Sequence, residues 1–147
     1  MRDAIGGVVN VAFIAVFLLI VSGYLAFSVS YNKAFKVKNK IISVLEQYEY
    51  YNSVSKGFID EYLKDIGYNA DNPRVGAGEY DTCEKGYCIK WVQDDTSSTG
   101  LPRGHYRVMT AVYVDVPIFN KFLPFMNFLQ VSGDTKSIYI SQSSATS

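Results

Sequence analysis

Hydrophobic positions along this chain follow three different periods, and each period predicts a different kind of element. From Val8 to Val29 the run VVNVAFIAVFLLIVSGYLAFSV carries no charge. As a helix it reaches about 33 Å, enough to cross a hydrocarbon core of about 30 Å. A cleaved secretory signal has an apolar core of only about 7 to 15 residues behind a basic start, whereas MRDAIGG offers one arginine and one aspartate. A soluble protein hides a helix that is apolar on every face only inside a large core. The pattern therefore predicts a retained transmembrane helix over residues 8–29, behind a short flank or leader at 1–7.

Past the run the period becomes helical and one-sided. Ala34, Val37, Ile41, Leu45 and Tyr48 recur at steps of three and four with polar residues between them, so the helix is expected to continue as an amphipathic one to about Tyr51. In SVSKGFIDEYLKDIGY, Phe58, Ile59, Tyr62, Leu63 and Ile66 form the apolar face of a second short helix, with Gly67 as its left-handed stop. Asp60, Glu61 and Asp65 fall on its polar face, as a solvated surface requires.

The period then changes to two. NADNPRVGAGE and DDTSSTGLPRG read as loops, and YDTCEKGYCIKWV between them reads as a hairpin. HYRVMTAVYVDVP alternates Tyr106, Val108, Thr110, Val112, Val114 and Val116 against Arg107, Met109, Ala111, Tyr113 and Asp115, a strand ended by Pro117. LQVSGDTKSIYI predicts a last strand, bulged or bent at Gly133. The fold class is thus α+β: a long N-terminal helix and a short second helix packed on a small antiparallel sheet. One domain over residues 30–141 and a disordered tail at 142–147 complete the expected layout.

Composition narrows the function classes. Fourteen basic and fourteen acidic residues leave no net charge, which argues against nucleic acid as a partner. Twelve tyrosines suit half-buried surfaces and interfaces. Cys83 and Cys88 flank EKGY, and a hairpin placing them face to face permits a disulfide, which implies an oxidising compartment. Two free thiols in a cytosolic domain are the competing reading. Zinc requires four ligands, and the chain has one histidine and one cysteine pair. His105, the single histidine, lies beside a Gly-Pro turn with no nucleophile motif near it, and GAGEYDT lacks the context of a phosphate loop. Neither an enzyme nor a cofactor is indicated.

Two segments suggest contacts. Ala12, Ala15, Ser22 and Ala26, with Leu19 between, place small residues on one stripe of the anchor where another helix can approach closely. Asn10 is the one strongly polar side chain early in the run, and an amide in hydrocarbon is favoured where it finds a partner. In PIFNKFLPFMNFLQ, Phe122, Phe125 and Met126 are candidates either for the core or for a contact surface toward a neighbouring subunit.

The order of these parts resembles a pilin or pseudopilin. YRVMTAVYVDVPIFNKFLPFMNFLQVSGDTKSIY is similar to the end of TadE-like proteins, small single-pass pseudopilin-like components of tight-adherence pilus systems. The resemblance implies a structural role in assembling a type IV-related surface pilus. The implied partners are other pilins or pseudopilins, a membrane platform protein, the lipid bilayer and, indirectly, an assembly ATPase. The anchor lacks the early acidic residue usual in pilins, Asn10 being the nearest polar substitute, and MRDAIGG lacks a basic leader. Lys33, Lys36, Lys38 and Lys40 against Arg2 argue for a cytoplasmic domain by the positive-inside rule. The cysteine pair and the pilin-like layout argue for an extracytoplasmic one, which is the placement expected here. A bitopic binding or sensor module is the alternative function.

Overall fold

The structure, a computed structural model, describes residues 2–70, 73, 78–94, 103–112 and 129–139. Two helices, α1 (Arg2–Tyr48) and α2 (Ser53–Asp65), precede five strands: β1 (Thr82–Glu84), β2 (Tyr87–Gln93), β3 (Arg103–Ala111), β4 (Gln130–Asp134) and β5 (Ile138–Tyr139). The architecture is the expected α+β, with the strands in one antiparallel sheet ordered β1-β2-β3-β4 and β5 also paired to β3. Residues 2–7 are helical and continuous with the rest of α1.

The helix ends at Tyr48, before the expected Tyr51, because Glu49 takes a left-handed conformation at φ 55°, a position for which glycine is the usual occupant. The chain thereby turns at once into α2. There Asn52 caps the first turn, its Oδ1 accepting from the Val54 and Ser55 amides, while the Ser55 hydroxyl accepts from the Asn52 amide at 2.9 Å. This reciprocal box satisfies amides that the first turn leaves without helical partners. Gly67, at φ 60°, is the left-handed stop that its sequence position predicts.

The core lies between α1 and one face of the sheet. Val37, Ile41 and Leu45 are fully buried from α1, joined by Ile59 and Leu63 of α2 and by Tyr87, Ile89, Tyr106 and Val108 of the sheet. A smaller cluster of Ala34, Val112 and Val131, with Phe27 packed against it, continues the contact toward the apolar run. The period-two reading of β3 holds where it is described: Tyr106, Val108, Thr110 and Val112 face inward and are buried. Phe58 departs from the expected α2 face. It stacks on Tyr48 at 5.5 Å between ring centroids but stays 48% exposed. Val114, Val116, Pro117, Phe122, Phe125, Met126 and the tail at 142–147 lie outside the described residues.

The final strand is broken, but not at Gly133. The register steps from Arg107↔Asp134 to Gly104↔Ile138, so residues 135–137 oppose only 105–106, the one-residue surplus of a β-bulge. Gly133 itself pairs regularly with Val108. Its constraint is different: a Cβ there would come within 3.0 Å of Lys38 Cδ and 3.1 Å of Ile42 Cδ1, so the missing side chain lets β4 lie close to α1.

Candidate functional site

The most distinctive surface is α1 itself. Along the apolar run, large side chains stand open, from Val8 at 71% and Phe13 at 71% to Leu25 at 59% and Val29 at 67% exposed. Exposing so much contiguous apolar area to water is unfavourable. The helix is long and apolar enough to cross a membrane and is compatible with a single-pass anchor. Asn10, Ala12, Ala15 and Ser22 are all exposed on it. The Ser22 hydroxyl donates to the Leu18 carbonyl at 2.7 Å, which satisfies it without a partner helix. Ala26 is half-buried, and Gly23 is buried. The small-residue stripe is thus open at its Ala12–Ser22 end and partly covered by the protein at its Ala26 end.

Side chains lock the same helix to the sheet. The Thr110 hydroxyl lies 3.2 Å from the Ala34 carbonyl and 3.3 Å from that of Val131, tying β3 to both α1 and β4. Glu46 Oε1 accepts from the Lys136 amide at 2.9 Å, so α1 also holds the bulge. Where α1 meets α2, the Tyr51 amide donates to the Tyr106 hydroxyl and the Tyr51 and Tyr87 hydroxyls lie 3.4 Å apart. Burial pushes the Tyr87 and Tyr106 hydroxyls up from their ordinary pKa, because the charged form would lose its hydration. α1 is therefore both the exposed apolar segment and the spine of the domain.

Cys83 and Cys88 are bridged, their Cα atoms 4.1 Å apart at directly opposite positions of β1 and β2. The turn between them is tighter than EKGY suggests: Glu84 pairs with Tyr87, leaving Lys85 and Gly86, with Gly86 at φ 90°. Gly86 is also packed under Tyr68, whose ring a Cβ would meet at 2.7 Å.

His105 is not a lone loop residue. Its Nδ1 lies 2.9 Å from Asp94 Oδ1, and Asp94 Oδ2 accepts from the Ser137 hydroxyl at 3.0 Å. The carboxylate stands between the other two groups, which orients the imidazole and stitches the end of β2 to β3 and β5. In a nucleophilic triad the histidine occupies the middle. His105 Nε2 is buried without a hydrogen-bond partner among the described residues. Beside this group Arg107 and Asp134 form an ion pair at 2.9 Å; the Arg107 hydrogen bond holds the Asp134 carboxyl below its usual range. Asp60, Glu61 and Asp65 are exposed on α2, Asp60 lying 3.6 Å from Lys56. Among the described residues, no three His, Cys, Asp or Glu side chains converge as a metal ion would require.

Sequence reasoning missed the Asp94–His105–Ser137 group because its members are far apart in the chain and only the antiparallel register assembles them. It also missed the burial of Lys38, whose Nζ lies 4.2 Å from the Phe35 ring centroid. No protein-family model matches the chain, nor does any curated protein or solved structure.

Proposed function

We propose that this protein is a single-pass, membrane-anchored pseudopilin-like structural subunit that helps assemble a type IV-related surface pilus of the tight-adherence kind. The observation that carries the reading is the double use of α1: its first half is an exposed apolar helix and its second half is the buried spine of a small antiparallel domain. A subunit built this way enters a filament through its anchor while presenting a rigid domain outside the membrane. Its partners in this reading are other pilins or pseudopilins and a membrane platform protein. The resemblance of the C-terminal half to TadE-like proteins supports it, and so does the disulfide, which suits an extracytoplasmic domain.

Photocrosslinking from Ala12 and Ala15 in cells that make pili tests this function. Crosslinks to pilin-type helices are expected, and Ala15→Leu with Ser22→Leu should weaken them without preventing membrane insertion, since leucine is well tolerated in lipid. Normal piliation in cells lacking the protein, with no such crosslinks, would reject the pilus role. The second reading is a bitopic binding or sensor module. It draws on the apolar patch of Tyr50, Val54 and Phe58, which are 36%, 53% and 48% exposed at the end of the domain away from the anchor.

A further inference from the structure

Immediately beyond the apolar run, Lys33, Lys36 and Lys40 lie on one face of α1, spaced by three and four residues, and all three are exposed. Between Asp3 and Glu46 the helix contains no acidic residue, so no carboxylate sits at helical spacing from any of them. No ion pair among the described residues reaches them. Lys40 also has the Tyr62 ring 5.8 Å from its Nζ. Lys38, on another side of the helix, is 9% exposed and likewise pairs with no carboxylate among the described residues. Among the described residues, the level of α1 just outside the run is therefore a band of cations with no carboxylate partner.

Position along the helix identifies the anion that matches them. Val29 ends the uncharged run. Lys33 stands about 6 Å beyond it and Lys36 about 10 Å, in or near the headgroup layer, whereas Lys40 stands about 16 Å beyond. Long lysine stems bend back along apolar surface to place the ammonium at the interface. Tyr24 and Tyr31, 69% and 43% exposed, bracket the same boundary, where amphipathic rings anchor helices. The face also continues the small-residue line: Ser22, Ala26, Val29, Lys33, Lys36 and Lys40 follow at steps of four, three, four, three and four. A parallel second copy packed along that line would set lysine against lysine.

We infer that Lys33 and Lys36 form a binding site for the phosphate of anionic phospholipid headgroups. The inference rests on reading α1 as a membrane anchor and adds to it the lipid class that the anchor prefers. Lys40, farther out and beside Tyr62, is outside the site.

The test uses the full chain in nanodiscs of mixed phosphatidylglycerol and phosphatidylcholine, with native mass spectrometry counting the lipids retained after release. Wild-type protein should retain phosphatidylglycerol over phosphatidylcholine by about tenfold, the scale of one or two interfacial lysines. Lys33→Gln with Lys36→Gln should abolish the preference, while Lys40→Gln should preserve it. Circular dichroism of each variant should match wild type, since these side chains are exposed. Excess inorganic phosphate should leave the retained lipid in place; displacement by it would mark a site for small phosphates and overturn the lipid assignment. Equal retention of the two lipids by wild type, or an unchanged preference in the double variant, would overturn it as well. Equal retention of the two lipids by wild type together with crosslinks from position 33 to an acidic segment of a partner protein would assign the lysines to that partner instead. Release of the chain from membranes by alkaline carbonate would instead reject the anchor reading, an outcome distinct from insertion without lipid preference.

Discussion

Tyr106 and Thr135 exchange two hydrogen bonds of 2.9 Å, but one of the acceptors is a side chain: the Thr135 amide donates to the Tyr106 carbonyl, while the Tyr106 amide donates to Thr135 Oγ1. The hydroxyl stands in for the backbone carbonyl that the bulge has moved out of register. Thr135 is buried, so water does not replace it. Thr135→Val should therefore strand a buried amide and lower stability by about 1–3 kcal/mol. Thr135→Ser, which keeps the oxygen, should cost clearly less. Thermal melts of the full chain in detergent, followed by near-ultraviolet circular dichroism, would reveal the difference, and equal melts for both variants would remove the hydroxyl from this role.

Gly104 lies against Trp91 so closely that a Cβ would fall 2.4 Å from the indole Cζ2 and 2.5 Å from the Val92 carbonyl oxygen. The carbonyl is held in the β2–β3 ladder and the ring is packed edge-on against Tyr106 at 4.8 Å, so neither yields easily. Gly104→Ala should destabilise by about 3 kcal/mol, at the upper end of ordinary overpacking. A melt within about 0.5 kcal/mol of wild type would mean that this edge of the sheet adjusts freely.

The Cys83–Cys88 bridge closes a short loop, for which the chain-entropy account assigns about 2 kcal/mol. Cys83→Ser with Cys88→Ser should lower stability by about that amount while preserving the hairpin, whose turn is also set by Gly86. In intact cells, a thiol reagent that cannot cross membranes should label the wild-type pair only after an external reductant is added. Labelling of unreduced protein solely after lysis would place the domain in the cytoplasm, as Lys33, Lys36, Lys38 and Lys40 suggest under the positive-inside rule.

Burial raises the hydroxyl pKa of Tyr68, Tyr87 and Tyr106 above the ordinary value. An unfolded tyrosine ionises near pH 10. A raised folded-state pKa contributes stability that is complete below about pH 10 and lost as the pH climbs from there toward the folded values. Tertiary structure should accordingly fail in the alkaline range, with tyrosinate absorbance from these rings appearing together with the loss of near-ultraviolet signal. Tyr87→Phe removes one such group and should move that transition to higher pH relative to its own neutral-pH stability. Full tyrosinate absorbance in a still-folded protein would show that the rings are open to water.

Much of the fold is legible in local patterns. The uncharged run, the helical phase from Ala34 to Leu45, the alternation in β3 and the cysteine spacing each reflect a constraint between near neighbours in the chain, and such constraints leave a period that can be read. The bulge was misplaced for the complementary reason. Gly133 looks like a bend because glycine often marks one, yet it pairs regularly with Val108 and lies directly against the Lys38 and Ile42 side chains. The real break depends on a hydroxyl at Thr135 finding the Tyr106 amide across the sheet.

By itself, then, the sequence determined that this is an α+β chain with a membrane-compatible helix, a second helix and a hairpin bearing two cysteines, because burial and backbone geometry impose periods of 3.6 and 2 residue by residue. Only the tertiary structure decided that β4 and β5 share one edge of β3. It alone also brought Asp94, His105 and Ser137 together and left the Lys33–Lys40 face open. Those outcomes depend on contacts between residues tens of positions apart, whose pairing is set by packing and register and leaves no repeating mark along the chain.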